Sequence, residues 1–388
     1  MQARMGFIVV AAALALSSAP TAIAAPPNDD FAAATPLSGA RGSEGGSNAD
    51  AGKEGGEPAH AGNAGGRSVW FSWTAPKNGT YVFWAFSESF DTLLAVYTGS
   101  DVATLTEVAS NDDARGSITR SQVVFQAAEG TAYAIAVDGA GGKAGRFWLN
   151  WHLAPPNDLF AHPQVVTGRV GAMRGTNVRA TLEPSEPTPS RSSPSVWYEW
   201  TSPASGTVKF STLGARFDTV VSVYTGATVD ALVMIASNDD DPEFRCCASS
   251  FVGFEAVAGT VYRIAVGGWS GAQGSFVLSW SPLVLGTPAD ETLVGTAGVE
   301  EIRGMAGNDV LRGLGGADVV VGGPGHDRSF GGSGNDILLD HHGRDILVGG
   351  GGVDSLDTLD GRGGDLMNGG PAPDRCLGEV RDIRRRCP

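Results

Sequence analysis

The stretch Gly304-Met305-Ala306-Gly307-Asn308-Asp309-Val310-Leu311-Arg312 decides how this chain is read. Residues 313–321, 322–330 and 331–339 repeat its layout, with glycine at positions one and four and Asp318, Asp327 and Asp336 at position six. Position eight is apolar almost throughout. From Leu293 it runs Ile302, Leu311, Val320, Ser329, Leu338, Leu347, Leu356, Met367 and Cys376, and only Ser329 breaks character. Nine residues allow a tight turn of about six and a strand of about three, and turning that sharply needs positive φ and close backbone approach, which glycine tolerates. A flexible linker has no reason to hold an apolar residue two places after each aspartate.

This glycine-aspartate nonapeptide resembles the hemolysin-type (RTX) calcium-binding repeat, a parallel β-roll in which two nonapeptides make one coil. The resemblance implies a stack of loops on each edge every 18 residues. Asp309, Asp327 and Asp345 then share one edge, and Asp318, Asp336 and Asp354 the other. Calcium is a hard ion that takes six to eight oxygens from carboxylates and main-chain carbonyls, which suits glycine-rich turns bearing one aspartate each. Without calcium, stacked carboxylates repel around a thin core, and an unfolded acidic tail is the expected state. Glu291 and Glu300 stand at position six of the first two units and count as candidate calcium ligands beside the aspartates, with a longer side chain that changes the geometry. Asp340-His341-His342 replaces the opening glycines of the unit holding Asp345, so a weaker loop is expected there. Thr358 and Leu359 are extra residues, after which the pattern resumes with Asp365 and Asp374.

The amino terminus reads as a secretory leader over residues 1–24: Arg4, an apolar run over 6–16, and Ala22-Ile23-Ala24 as a small-residue cleavage motif. The apolar run is too short to span a bilayer, and no later run reaches the necessary length of about 18 residues, so membrane insertion is not expected. Four cysteines fit an oxidising compartment. Cys376, at the last inward position of the array, pairs naturally with Cys387, making residues 379–388 a tethered cap over a roll of residues 285–378. The adjacent Cys246 and Cys247 form either a strained vicinal bridge or two free thiols. A formal net charge of −15 argues against nucleic acid and anionic lipid as partners. The run Arg384-Arg385-Arg386 is read as a solvated patch or an end cap.

Before the array the chain repeats itself. Ala25-Pro26-Pro27-Asn28-Asp29 returns as Ala154-Pro155-Pro156-Asn157-Asp158, and Ser68-Val69-Trp70 as Ser195-Val196-Trp197. Phe90-Asp91-Thr92 returns as Phe217-Asp218-Thr219, and Ser110-Asn111-Asp112-Asp113 as Ser237-Asn238-Asp239-Asp240. Short β-rich runs between turn clusters predict two tandem antiparallel β-sandwich (jelly-roll-like) modules, residues 25–153 and 154–284, in an all-β chain. Their shared set resembles the pre-peptidase carboxyl-terminal family of secreted bacterial modules, which implies an accessory or binding role. Asp91, Asn111, Asp112 and Asp113, like Asp218, Asn238, Asp239 and Asp240, either gather around a further calcium ion or cap turns. Trp70, Trp73, Trp84, Trp148, Trp197, Trp200 and Trp269 are read mainly as packing residues, with sugar stacking as the alternative. Asn78-Gly79-Thr80 has the glycosylation form, which carries little meaning in a bacterial-looking chain.

No catalytic constellation stands out. The six histidines lie in no metal-binding His-Glu-x-x-His pattern, and no Gly-x-Ser-x-Gly elbow occurs. The leading expectation is a secreted, extracellular, non-enzymatic protein with calcium ions as its partners. One competing reading is an adhesin that binds an extracellular glycan or matrix protein through its sandwiches. The other is a calcium-stabilised extracellular hydrolase whose carboxylate pair is hidden among many aspartates.

Overall fold

The computed structural model describes residues 24–114, 119–188, 194–212, 214–241 and 248–387. The leader expected over residues 1–24 falls, up to Ile23, outside the described residues, as do Cys246 and Cys247. Among the described residues the fold is all-β, interrupted by single turns of 3-10 helix such as Phe31–Ala33 and Val102–Thr104. Two compact units divide the chain: Met1–Asn78 with Phe83–Trp151, and Gly79–Val82 with His152–Pro388.

The first module holds a five-stranded sheet in the order Thr35–Leu37, Val69–Thr74, Ala132–Gly139, Thr92–Thr98, Thr106–Asn111. A four-stranded sheet runs Arg41–Ser47, Arg146–Leu153, Gly79–Phe86, Arg120–Ala127. Arg120–Ala127 alternates buried and less buried residues, as a half-covered strand must, whereas the central Thr92–Thr98 is buried along nearly its whole length. The second module repeats the strand order with Gln164–Val166, Val196–Thr201, Val261–Gly268, Thr219–Thr225 and Val233–Asn238. One detail departs from a purely antiparallel sandwich. Thr35–Leu37 and Gln164–Val166 are edge strands that pair parallel to their neighbours.

The duplicated sequence produces duplicated packing. Trp73 meets Phe83 edge-on at 5.2 Å, and Trp200 meets Phe210 at 5.4 Å. Two indole N–H groups in each module donate to a single carbonyl. Trp73 and Trp151 use the oxygen of Gly39 (3.0 and 3.2 Å), and Trp200 and Trp280 that of Gly168 (2.9 and 3.3 Å). Both glycines have positive φ, +84° and +87°, which turns that carbonyl inward at little steric cost. The packing expectation holds for Trp70, Trp73, Trp197 and Trp200, all buried, while Trp148 is 56% exposed.

The strand Ser275–Leu285 belongs to two architectures at once. It pairs antiparallel with Gly171–Thr176 and Gly206–Ser211 of the second module, then parallel with Glu301–Arg303 through Leu283, Val284 and Leu285. From there a parallel roll unwinds. Glu301–Arg303, Val319–Val321, Ile337–Leu339, Ser355–Asp357 and Arg375–Leu377 build one sheet, and Thr292–Val294 through Ile383–Arg385 build the other. Val319 pairs with Glu301 and with Ile337, a step of one coil each way. Because side chains alternate along a strand, a three-residue strand points only its middle residue inward. Ile302, Val320, Leu338, Leu356 and Met367 are those residues, Leu311 and Leu347 are the second residues of the six-residue strands Val310–Gly315 and Ile346–Gly351, and all seven are fully buried. Ser329 fills the same place between Leu311 and Leu347, and its hydroxyl is buried with no hydrogen-bond partner. Thr358 and Leu359 bulge outside the strands, so Ile346 pairs with Leu366 and Ser355 with Arg375 without loss of the ladder. At the far end Cys376 is bonded to Cys387, and Ile383–Arg385 forms the last strand with its side chains exposed.

The seam between sandwich and roll contains charges that nothing in the repeat pattern required. Arg303 holds Asp241 with two hydrogen bonds (2.7 and 3.0 Å), reaches Glu301 at 2.5 Å, and covers the ring of Phe251 at 3.9 Å. Glu301 also pairs with Lys209, and all four charged groups are buried. Removing one member of a buried network strands its partners, which typically costs about 3–5 kcal/mol. Arg303→Ala should therefore lower stability by about that amount in urea unfolding of the full chain with calcium present; a loss under about 1 kcal/mol would count against a structural role. Ser329→Ala is expected to act oppositely, adding about 1 kcal/mol by deleting an unsatisfied hydroxyl.

Candidate metal centre

Each coil places one position-six aspartate on each edge, and these stack through the main chain. Asp309 Oδ1 accepts the amide of Glu291 at 2.8 Å, and Asp327 Oδ1 that of Asp309 at 2.7 Å. The first edge continues through Asp345 to Asp365 (2.9 and 2.8 Å). The second runs from the amide of Glu300 to Asp318, then to Asp336, Asp354 and Asp374, each at 2.9 Å. The two-residue insertion leaves both ladders intact, so Asp365 and Asp374 occupy the same geometry as the aspartates before them.

One carboxylate oxygen is thereby used, and the other is the informative one. Oδ2 of Asp309, Asp318, Asp336, Asp354 and Asp374 is buried with no hydrogen-bond partner. An ionised oxygen in that position needs a positive charge or a proton. Position one shows where the oxygens converge. A β-carbon on Gly304 would lie 2.6 Å from Asp309 Oδ2 and 2.5 Å from the carbonyl of Gly322. The same pair of oxygens crowds Gly313 (Asp318 Oδ2 and the Gly331 carbonyl) and Gly349 (Asp354 Oδ2 and the Gly369 carbonyl). Position four is closed for another reason. A β-carbon on Gly316 or Gly334 would fall within 1.8 Å of the carbonyl one coil earlier, and both residues have φ above +100°.

A hard divalent cation fits this donor set, since carboxylate and carbonyl oxygens alone are offered. Asp309, Asp318, Asp327, Asp336, Asp345, Asp354, Asp365 and Asp374 would hold it. Burial raises the carboxyl pKa of Asp309, Asp336, Asp345 and Asp354, and lifts Asp318 and Asp365 to about 6, where neighbouring carboxylates add to the effect.

Glu291 and Glu300 do something different from the aspartates. Glu300 folds back on its own turn, accepting from the amide and hydroxyl of Thr296 (3.1 and 2.5 Å), and Glu291 accepts the amide of Thr287 at 2.5 Å. The longer side chain reaches a donor that aspartate does not, and a threonine at position two supplies it.

Sequence reasoning missed a second ladder and three carboxylates. At position five, Asp290 accepts the amide of Asn308, Asn308 that of His326, and His326 Nδ1 that of Arg344 (2.7, 2.9 and 2.9 Å). Asp340, Asp360 and Glu379 fall off the position-six pattern, yet they gather with ladder aspartates in two groups, Asp327 with Asp340 and Asp345, and Asp360 with Asp365 and Glu379. The opening Asp340-His341-His342 does not detach its loop, because Asp345 stays in the ladder and His341 Nε2 lies 3.6 Å from Asp357.

In the first module Asp91, Asp112 and Asp113 bring carboxylate oxygens within 4.8 Å of one another, and Oδ1 of Asp91 and of Asp112 is buried without a partner. Burial first, then these neighbours, raises the Asp91 pKa. Asn111 is instead occupied by the amide of Gln122. In the second module Asp218 feels Asp239 and Asp240 similarly, while Asn238 Oδ1 accepts both of their amides. The turn hydrogen bonds of the sequence reading thus fall on Asn111 and Asn238, and the carboxylates of the first module stand beside them as a cluster.

Comparison with known proteins separates the array from the modules. No curated protein matches the chain. Among solved structures, the CUB1-EGF-CUB2 domains of rat MASP-1 share 10% identity over 64% of this chain and 99% of that one, with a TM-score of 0.18. The CBM32-1 and CBM32-2 domains of ZmpB from Clostridium perfringens share 7% over 62% and 92%, with a TM-score of 0.17. Likenesses of that size carry no argument about fold or ligand. Residues 286–320, 294–329, 321–356 and 330–365 each match the RTX calcium-binding nonapeptide repeat, and the β-roll of this chain is an array of that repeat.

Proposed function

We propose that this is a secreted, non-enzymatic calcium-binding protein whose roll binds Ca2+ through its two aspartate ladders and completes its fold outside the cell. The observation that carries the reading is the row of buried Oδ2 atoms facing carbonyl oxygens across glycines. A family known for binding calcium at such repeats matches residues 286–365. At about 1 mM calcium, a site with a dissociation constant of about 0.1 mM contributes about 1.4 kcal/mol. Several coupled sites of that strength are enough to decide between a folded and an unfolded roll. Export is supported by the leader-like residues 1–24, by the bonded pair Cys376–Cys387, and by the family's usual location. Among the described residues no helix is long and apolar enough to cross a membrane.

A second reading concerns the sandwiches. Trp148 is exposed beside Arg146 and Glu44, over a cavity of about 750 Å³ in the first module. An exposed indole flanked by charges is a surface on which a sugar ring stacks, which keeps an extracellular glycan in view as a partner of that module.

Calcium should be visible as order. Hydrogen exchange of the mature chain is expected to slow across residues 286–385 when calcium replaces chelator, with smaller change in the first module; equal exchange in both conditions would refute the reading.

Acidity supplies a second test. Asp318 and Asp365 have folded pKa values of about 6 against an ordinary 3.8, so the calcium-free fold takes up protons that the unfolded chain releases. Their ionisation therefore destabilises the calcium-free roll fully above pH 6, and this penalty fades as pH falls toward 4. In chelator the fraction of folded roll, read as hydrogen-exchange protection factors over residues 286–385, should rise from pH 7 to pH 5, while the increment added by calcium shrinks. Calcium-free protection factors that fall over the same window would contradict the assignment.

A further inference from the structure

The two edges of the roll are not equivalent. On the second edge position one is glycine in every unit: Gly295, Gly313, Gly331, Gly349 and Gly369. On the first edge the series is Gly286, Gly304 and Gly322, followed by Asp340 and Asp360 in consecutive coils. A glycine lost twice in a row, each time to a carboxylate and always on the same side, changes the donor set of that edge.

Asp340 shows how. A β-carbon on Gly322 would lie 2.0 Å from Asp340 Oδ2 and 2.8 Å from Asp327 Oδ2. In the turns of Gly304, Gly313 and Gly349 the corresponding neighbour is a glycine carbonyl. The Asp340 side chain therefore enters the gap between coils where elsewhere only the main chain contributes. Asp327, Asp340 and Asp345 offer oxygens within 4.8 Å of one another, and none of the three is more than 2% exposed. Asp340 and Asp345 are also at hydrogen-bonding distance. Three carboxylates buried together cannot all remain ionised without a cation among them. One coil further on, Asp360, Asp365 and Glu379 repeat the convergence, and Oδ2 of Asp360 and Oε2 of Glu379 are buried with no hydrogen-bond partner. At the start of the same edge Asp309 is 1% exposed, and its Oδ2 also lacks a partner.

Resting on the calcium reading of the ladders, we infer that Asp340 and Asp360 turn the first edge into a pair of three-carboxylate calcium sites, which fill before the carbonyl-rich sites of the second edge. Ligand charge count, together with site rigidity, sets calcium affinity at oxygen sites, and the extra buried carboxylate makes the off-pattern turns the strong ones. Calcium entering there first neutralises the most crowded carboxylates and fixes the coils between Gly322 and Glu379. The second edge, already in register through the shared strands, then binds its ions at lower cost in ordering.

The test is calorimetric calcium titration of the full mature chain, in parallel with Asp340→Gly, Asp340→Asn and Asp336→Asn. Native protein should show a tight phase followed by a weaker one. Restoring the repeat pattern with Asp340→Gly should weaken the tight phase about tenfold or more, and Asp340→Asn, which keeps the side-chain size, should weaken it in the same direction. Asp336→Asn should leave the tight phase and diminish the weaker one. Circular dichroism in saturating calcium checks that each variant folds, and Asp340→Asn decides the matter if the glycine variant does not. An unchanged or tightened first phase in the folded Asp340 variants overturns the inference while leaving the ladders as calcium sites. Absence of calcium binding by the native chain overturns the ladder reading and this one with it.

Discussion

The hydrogen bond from each ladder amide to the aspartate one coil later is the interaction on which the roll depends. It fixes the coil spacing, and it uses one carboxylate oxygen while leaving the other buried. Nine residues must be ordered for every inward-facing leucine or valine. Burying one such side chain does not by itself offset the backbone entropy lost in ordering nine residues. Main-chain hydrogen bonding between coils offsets part of that deficit at about 1 kcal/mol for each bond. Repulsion along two carboxylate rows works against the fold throughout. Whatever neutralises those rows is therefore part of the architecture, and oxygen-only donors select a hard cation for the task.

How the roll begins follows from the same deficit. A coil at the open end of a parallel stack has unpaired main-chain groups and half a core. Here the strand Ser275–Leu285 supplies the first template, because it is already held in the second sandwich when Glu301–Arg303 pairs with it. Lys209, Arg303, Asp241 and Glu301 make that junction specific. Four charges buried together are poor stabilisers in general but tolerate few alternative registers. A one-residue slip would bring an apolar neighbour against Asp241 and turn Ile302 outward.

The period of nine, the two rows in 18-residue register, the inward residues and the bridge between Cys376 and Cys387 were all legible in the sequence, because each depends on spacing alone. The two modules were legible for the same reason: a strand order repeated in space had already appeared as a repeated string. What escaped the reading depended on where a side chain ends. Asp340 looked like a lost glycine, and only its position against Gly322 shows that it adds an oxygen where a carbonyl usually serves. Glu300 looked like a ligand, and Thr296, four residues earlier, takes both of its oxygens. Glu301 and Arg303 flank Ile302 where other units carry mainly apolar residues. That departure was visible in the sequence, but its partners Lys209 and Asp241 are more than 60 residues away.

Charge compensation along the array changes in kind from one end to the other, and this gives the roll a direction. At the sandwich end the acidic groups are met by the protein itself: Thr287 and Thr296 cap the two glutamates, and Lys209 and Arg303 neutralise Glu301. At the far end Asp382 accepts the amides of Gly364, Asp365 and Glu379, which pulls its pKa down, and a disulfide holds the last coil. Between these ends burial pushes the carboxyl pKa values of Asp309, Asp318, Asp336, Asp345, Asp354 and Asp365 upward instead. The first coil can thus form on its template before any ion binds, whereas each later coil adds two aspartates that need one. The template at the sandwich end thus needs no ion, and the coils beyond it wait on theirs, beginning with the crowded carboxylates of the first edge between Gly322 and Glu379.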